Sequence, residues 1–423
     1  MEPRTWRPVL GGPAREEALA AARDIAAALA EPAESARPSL AGGDAGEALF
    51  LAYLARALPD GGYRDLALAR LERAVEALAS EALEPSLCDG FAGVAWAASH
   101  VASLLGVGAS GEDSHAEIDQ ALEKALARPS LDVELLYGIS GIGVYYLERD
   151  PRAAARSGLE RIVARLEVSA VDTGRGLAWT EAPWYHDPKE DGGGAPAGEP
   201  RFNLGVAHGV PGVVGLLAHA LARGVAPDRT RALLQRAVGF LLHHKSPAPA
   251  ASAFPFFVTP SFRPADPARS AWCYGDPGIA PVLLAAAQAA LRPDWEQAAL
   301  EVALRAAARP IVEAGVLDAA LCHGAAGLGL IFARLHTSTG EAPLADAARR
   351  WFARALDLRQ PGQGVGGFRA WMPEEGKEPW RDERGLLNGA AGIGLALLAA
   401  ATGVEPAWDI VLLIAPPSEG VRS

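Results

Sequence analysis

Two turns in this sequence carry residues whose types and spacing suit chemistry. Ser270-Ala-Trp-Cys-Tyr-Gly-Asp-Pro-Gly278 and Leu321-Cys-His-Gly-Ala-Ala-Gly327 each place a cysteine two residues before a Gly-x-x-Gly, then open an apolar run. The second adds a histidine beside its cysteine. Cys273, Cys322 and His323 make a three-ligand zinc set of the kind that leaves a fourth position for reactants. Two thiolates and a neutral imidazole give a formally neutral zinc centre. It takes up a further thiol readily and lowers that thiol's pKa below the free value of about 8.5. Thiolate-rich coordination keeps electron density on sulfur, so thiol alkylation suits it. Water activation is more often the work of histidine-rich or carboxylate sets. With a conjugated carbonyl as electrophile, attack leaves an enolate, which needs an acid to protonate it and positive charge beside its oxygen.

His208 is the candidate acid, and Arg269, four residues before Cys273, is the candidate cation. Each has a plainer reading, a satisfied core histidine and a solvated surface arginine. Tyr274, between ligand and glycine, is either a core residue or a hydrogen-bonding one. A single buried cysteine is usually a small hydrophobe, but two at one repeat register with an adjacent histidine are not explained that way. Cys88 shares the register but belongs to a repeat three steps away, so it is set aside as a ligand. His100, His219 and His336 lie within or at the ends of helices and read as structural. His243 and His244 end a helix, where a cation suits the dipole. Trp179, Trp184, Tyr185 and His186 fall in one aromatic loop. They, with Trp272, Trp371 and Trp380, read equally as peptide-binding groups or as packing.

What must position these residues is a repeat. Gly-x-x-Gly recurs at Gly43/Gly46, Gly90/Gly93, Gly138/Gly141, Gly209/Gly212, Gly275/Gly278, Gly324/Gly327 and Gly389/Gly392. Each pair precedes an apolar stretch, and a helix apolar on most sides is buried on most sides. Before each lies an amphipathic candidate, starting near Arg15, Tyr63, His115, Pro151, Asp228, Asp294 and Leu344. The simplest closed arrangement is an all-α, α/α toroid, a double ring of seven outer and seven inner helices forming a single domain over residues 1–423. Glycine is expected at the turns for left-handed backbone angles and close approach of inner helices. Equivalent positions then point alike, so Cys273 and Cys322, from adjacent repeats, should be neighbours. Three long intervals, Gly141 to Gly209, Gly212 to Gly275 and Gly327 to Gly389, supply loops where binding surfaces usually sit.

The chain has 423 residues, half of them hydrophobic, and a net charge of −12. With no basic tract, nucleic acid is excluded as the main partner. Three cysteines in such a length do not make a disulfide framework. The N-terminus lacks a signal-peptide apolar core, and no apolar run approaches bilayer length. The expectation is a soluble, cytoplasmic protein.

Asn203-Leu-Gly-Val-Ala-His-Gly-Val-Pro-Gly212, the two cysteine turns and Gly385-Leu-Leu-Asn-Gly-Ala-Ala-Gly392 resemble the motifs of the lanthionine synthetase C-like family, the lanthipeptide cyclases. The resemblance runs through all seven repeats, and with no room for a dehydratase domain it is to stand-alone cyclases of the nisin type. It implies an α/α toroid with one zinc per chain on Cys273, Cys322 and His323. It implies Michael addition of peptide cysteine thiols to dehydroalanine or dehydrobutyrine, giving thioether rings. The family's histidine falls on His208, its arginine on Arg269 and its tyrosine on Tyr274. Its aspartate position holds Glu134, with Asp132 two residues earlier, so which carboxylate takes that role stays open. The implied partner is a dehydrated precursor peptide, leader plus core. A dehydratase and a transporter are further partners in a synthetase complex, through which the protein would meet a membrane peripherally. Three other readings remain: addition of glutathione or another small thiol to dehydro-amino acids, a prenyltransferase-like barrel, and a zinc-stabilised peptide-binding scaffold without catalysis.

Overall fold

The computed structural model describes residues 5–31, 37–107, 115–182, 198–264 and 266–417. Its α-helices fall into seven consecutive pairs. These are α1 (Gly12–Ala30) with α2 (Asp44–Ala57), α3 (Tyr63–Ser80) with α4 (Phe91–Leu105), and α5 (Ala116–Leu126) with α6 (Ile139–Arg149). They continue with α7 (Ala153–Ser169) and α8 (Val210–Ala222), then α9 (Pro227–His243) and α10 (Asp276–Ala290). The last are α11 (Pro293–Ala308) with α12 (Ala325–Thr339) and α13 (Ala342–Asp357) with α14 (Ala390–Ala401). The first member of a pair is amphipathic, as the periodicity predicts. In α13, Leu344, Trp351 and Phe352 are buried while Arg349 and Arg350 face out. The second member is mainly apolar and buried, and every residue of α14 is buried. Each fully buried leucine or isoleucine there contributes roughly 1.5–3 kcal/mol.

The glycine turns meet one half of the expectation, close approach, and depart from the other, left-handed angles. Of the seven first glycines, Gly275 alone has a positive φ, +93°; the others, such as Gly209 and Gly324, cap their helices with extended backbone. What requires glycine is close approach. A Cβ on Gly93, Gly327 or Gly392 would lie 1.8–2.0 Å from the carbonyl oxygen six residues earlier, in Leu87, Leu321 and Leu386. The chain doubles back so tightly because its carbonyls serve the next helix. Asp44, Phe91, Ile139, Ala325 and Ala390 each donate their amide to the carbonyl seven residues before them. Those bonds satisfy amides at a helix start that has no turn before it.

The chain forms two compact units, Met1–Ala121 with Val316–Trp408, and Leu122–Gly315 with Asp409–Ser423. In the first, α14 packs on α1, α2 and α12, so the last repeat lies beside the first. A ladder of peptide bonds registers its turns at the position two before each glycine pair. Cys322 N donates to Leu387 O, Leu387 N to Ala41 O and Ala41 N to Cys88 O, at 2.9–3.0 Å. In the second unit α8 packs on α6 and α10. There Leu135 N donates to Ala207 O at 3.2 Å and Ala207 N to Cys273 O at 3.4 Å.

The described strands are three antiparallel pairs of two residues each: β1 (Val171–Asp172) with β2 (Leu177–Ala178), β3 (Phe202–Asn203) with β4 (Phe257–Val258), and β5 (Ala370–Trp371) with β6 (Trp380–Arg381). All lie in the three long intervals. Among the described residues no helix is long and apolar enough to cross a membrane.

Candidate metal and catalytic site

The turn before α10 presents Cys273. Its sulfur is buried and lies 3.6 Å from Nη2 of the half-buried Arg269. Ser270 N donates to Ala314 O at 2.8 Å, and this bond holds the approach to the turn.

The turn before α12 presents Cys322 and His323. Cys322 is buried, with its amide spent in the peptide ladder. His323 Nε2 faces Asp318 Oδ2 across 3.7 Å, an ion-pair separation. Asp318 is 2% exposed and receives amides from Ala320 at 3.1 Å and Trp371 at 2.8 Å. A buried carboxylate beside the ring is the usual support for a metal-binding histidine. Trp371 belongs to β5, where its ring meets Trp380 edge to face at 5.1 Å.

One donor atom each from Cys273, Cys322 and His323 lies within 4.8 Å of the others. Zinc bonds of about 2.3 Å to sulfur and 2.0–2.1 Å to nitrogen put tetrahedral donors roughly 3.5–4 Å apart. The donor types and their closeness therefore fit zinc. Cys88 is not a member of this group.

His208 and Glu134 meet before α8 and α6. His208 Nδ1 lies 2.8 Å from Glu134 Oε2. Glu134 is 1% exposed and also accepts the amides of Leu136 at 2.9 Å and Tyr137 at 2.5 Å. An ionised carboxylate only accepts, so Nδ1 carries the proton in this pair and Nε2 turns outward. Tyr137, 43% exposed, stacks near the imidazole at 6.2 Å and 18°. Of the two carboxylates left open, Glu134 is the one that reaches His208. Asp132 receives its neighbour Val133's amide at 2.6 Å, and burial, then the charge of Glu134, pushes its pKa up.

Tyr274 lies half-buried after Cys273, its ring edge-on to Phe256 at 5.3 Å. Its hydroxyl accepts a 2.9 Å bond from Asn203 Nδ2. His100, His219 and His336, read as structural in the sequence, lie in α4, α8 and α12. His100 bonds Tyr53 at 2.9 Å and stacks on Trp96. His336 Nδ1 lies 2.9 Å from Glu341 O. His219 is buried, which pushes its pKa down to about 3. Burial likewise takes His244 down to about 4, so it does not carry the helix-end charge expected of it. Trp184, Tyr185 and His186 lie outside the described residues.

Asn203, Asp318 and Tyr137 were not singled out in the sequence, yet a signal for two of them exists there. The position six before each glycine pair reads Arg37, Glu84, Asp132, Asn203, Arg269, Asp318 and Glu383. All seven are polar in a chain that is half hydrophobic, and the set contains Arg269.

Seven helix pairs and a Cys–Cys–His group define a class, α/α proteins with a cysteine-rich donor set close enough to hold a metal. A family model described as lanthionine synthetase C-like protein matches residues 34–413, and the chain belongs to that family. Among solved structures it is similar to one titled "Nisin cyclase". The identity is 19%, over 95% of this chain and 97% of that chain, with a TM-score of 0.70. That likeness shows the fold, the all-α, α/α toroid class anticipated from the repeats. A polysaccharide lyase is also similar, at 13% identity over 92% of this chain and 96% of that chain. Its TM-score of 0.41 is too low to carry an argument. No curated protein matches the sequence.

Proposed function

We propose that the protein is a zinc-dependent lanthipeptide cyclase, acting as one catalytic domain on a dehydrated precursor peptide. The observation that carries this reading is the cluster of Cys273, Cys322 and His323 donors within 4.8 Å, with Arg269 beside one sulfur. Zinc bound there would take the peptide's cysteine thiol as a thiolate and keep it nucleophilic at neutral pH.

The chain's own residues do the rest. In the addition, the peptide S–H bond breaks, sulfur bonds to the β-carbon of dehydroalanine or dehydrobutyrine, the carbon–carbon double bond becomes single, and the α-carbon gains a proton in place of the one the thiol released. No oxidant or reductant is needed. Arg269 supplies positive charge for the carbonyl oxygen as the enolate develops. His208 delivers the proton to the α-carbon, with Glu134 fixing its tautomer and steadying its charged form. Tyr274, next in the chain to Cys273, offers a hydroxyl. The peptide is supplied by a dehydratase, in the cytoplasm, and a transporter removes the ringed product.

The test is incubation with a dehydrated precursor, followed by mass spectrometry with a thiol-capping reagent. The wild type should leave no cappable thiols, while Cys322→Ala should leave them all. The reading also requires about one zinc per chain. Ring formation that survives Cys322→Ala, or complete removal of zinc, rejects it.

A further inference from the structure

The interval between α7 and α8 holds a buried polar chain that the mechanism above leaves unused. Arg201 Nε pairs with Glu181 Oε2 at 2.8 Å, and Arg201 lies over the Phe257 ring at 3.5 Å. Glu181 Oε1 accepts a 2.5 Å bond from Asn203 Nδ2. Asn203 Oδ1 accepts the Gly205 amide at 2.7 Å. Asn203, Glu181 and Arg201 are 2%, 8% and 8% exposed.

These bonds fix which way the Asn203 amide points. Its oxygen is committed to Gly205, so both Nδ2 hydrogens face the other way, one to Glu181 and one to Tyr274. Tyr274 must then accept from Asn203, and its own hydroxyl hydrogen is turned away from Asn203 and Glu181. The ring has no freedom to turn back. Gly205 backs it so closely that a Cβ there would lie 2.6 Å from the Tyr274 ring, and Phe256 meets it edge to face.

We infer that Asn203, held by Glu181 and Arg201, is a positioning residue that makes Tyr274 a directed hydrogen-bond donor in the addition step. The acceptor it serves is the carbonyl oxygen of the dehydro residue as that oxygen gains charge. This inference rests on the cyclase reading. It explains why a long interval returns through β3 to pair with β4. That pairing sets Asn203 opposite Phe257, and from there its Nδ2 reaches the tyrosine hydroxyl.

The test is an exchange of the amide and the carboxylate, Asn203→Asp with Glu181→Gln. Shape, net charge and the Gly205 bond are kept, but the donor to Tyr274 becomes an acceptor. The phenol then turns its hydrogen toward the new carboxylate rather than the substrate. The exchange should lower kcat about as much as Tyr274→Phe, on the order of 10²-fold for one lost transition-state donor. KM should stay within about two-fold. Adding Tyr274→Phe to the exchange should cost nothing more. Losses that multiply, or an exchange with wild-type kcat, overturn the proposal. If the exchange melts far below the wild type, Asn203→Leu is put through the same cycle with the same two outcomes. Isotope-edited infrared spectroscopy of the tyrosine C–O stretch separates accepting from donating phenols without any turnover, and Tyr274→Phe identifies the band. A wild type that forms no rings defeats the cyclase reading. A C–O band unmoved by the exchange defeats the positioning role.

Discussion

Glu134 and His208 are joined through Oε2 and Nδ1 at 2.8 Å, although 74 residues separate them in the chain. Two backbone amides anchor the carboxylate from behind, so the imidazole is held by a group that cannot itself turn. The arrangement leaves Nε2 as the nitrogen presented outward. The glutamate side chain folds back onto the amides of Leu136 and Tyr137.

Glu134→Gln follows from that geometry. One side-chain atom of the amide becomes a donor facing a donor, either His208 Nδ1–H or a backbone N–H. A buried bond is lost and a polar group is left unmatched, which costs about 1–3 kcal/mol of stability. The tautomer of His208 is no longer enforced, so kcat for ring closure should fall on the order of 10²-fold with little change in KM. Thermal melting and initial rates on one dehydrated peptide check the two effects separately. A variant with full activity would show that His208 needs no orienting carboxylate.

Asp318 faces His323, and its loss should be read in metal rather than in fold. Asp318→Asn keeps an acceptor for Trp371 or Ala320 but removes the charge facing His323. Zinc affinity should drop about 10–100-fold, the usual cost of a lost carboxylate behind a ligand histidine. Competition with a chromophoric chelator measures it. Ring formation should return when free zinc is raised well above the new dissociation constant. A variant with unchanged affinity would mean that His323 is held by packing alone.

How far these residues could be read from the sequence depends on whether their partners lie at the repeat register. The helix pairs were legible because seven apolar stretches follow seven glycine pairs, and α3 begins at Tyr63 as the periodicity places it. Cys273, Cys322 and His208 were legible for the same reason, since each stands one or two residues before a first glycine. Asp318 and Asn203 stand six before, where the polar pattern is equally regular but its chemistry is mixed, so no single residue type draws notice. Glu181 was beyond reach. It lies in an irregular interval, where its amide donates to Arg201 O at 2.8 Å and so sets it beside Asn203. The glycine turns were read correctly in place, and of the two causes expected, close approach holds while a left-handed angle is found at Gly275 alone of the first glycines. A sequence shows that a side chain is missing, but not whether φ or a neighbouring carbonyl excludes it.

Asp276 opens α10, three residues after Cys273, and provides a pH-dependent test of how the metal turn is braced. It is buried and accepts the amides of Ala253 at 2.7 and 2.9 Å and of Phe254 at 3.1 Å. Burial outweighs those bonds and pushes its pKa up to about 6, against about 3.8 in the unfolded chain. Between those values the folded protein binds more protons than the unfolded chain. The stability that this group contributes therefore falls as pH rises from about 4 to about 6, and is level above. The limiting slope is about −1.4 kcal/mol per pH unit, and the whole step is on the order of 3 kcal/mol. Zinc ligands also titrate in acid, with the opposite sign, because protonation releases the metal. Asp276→Asn isolates the carboxylate. It keeps the ligands and removes the titrating group, so the difference in unfolding free energy, wild type minus variant, should decline over that window. Denaturant unfolding of both proteins at matched zinc, from pH 4 to 8, measures the difference. A flat difference would mean that the three amide bonds hold Asp276 charged even in acid.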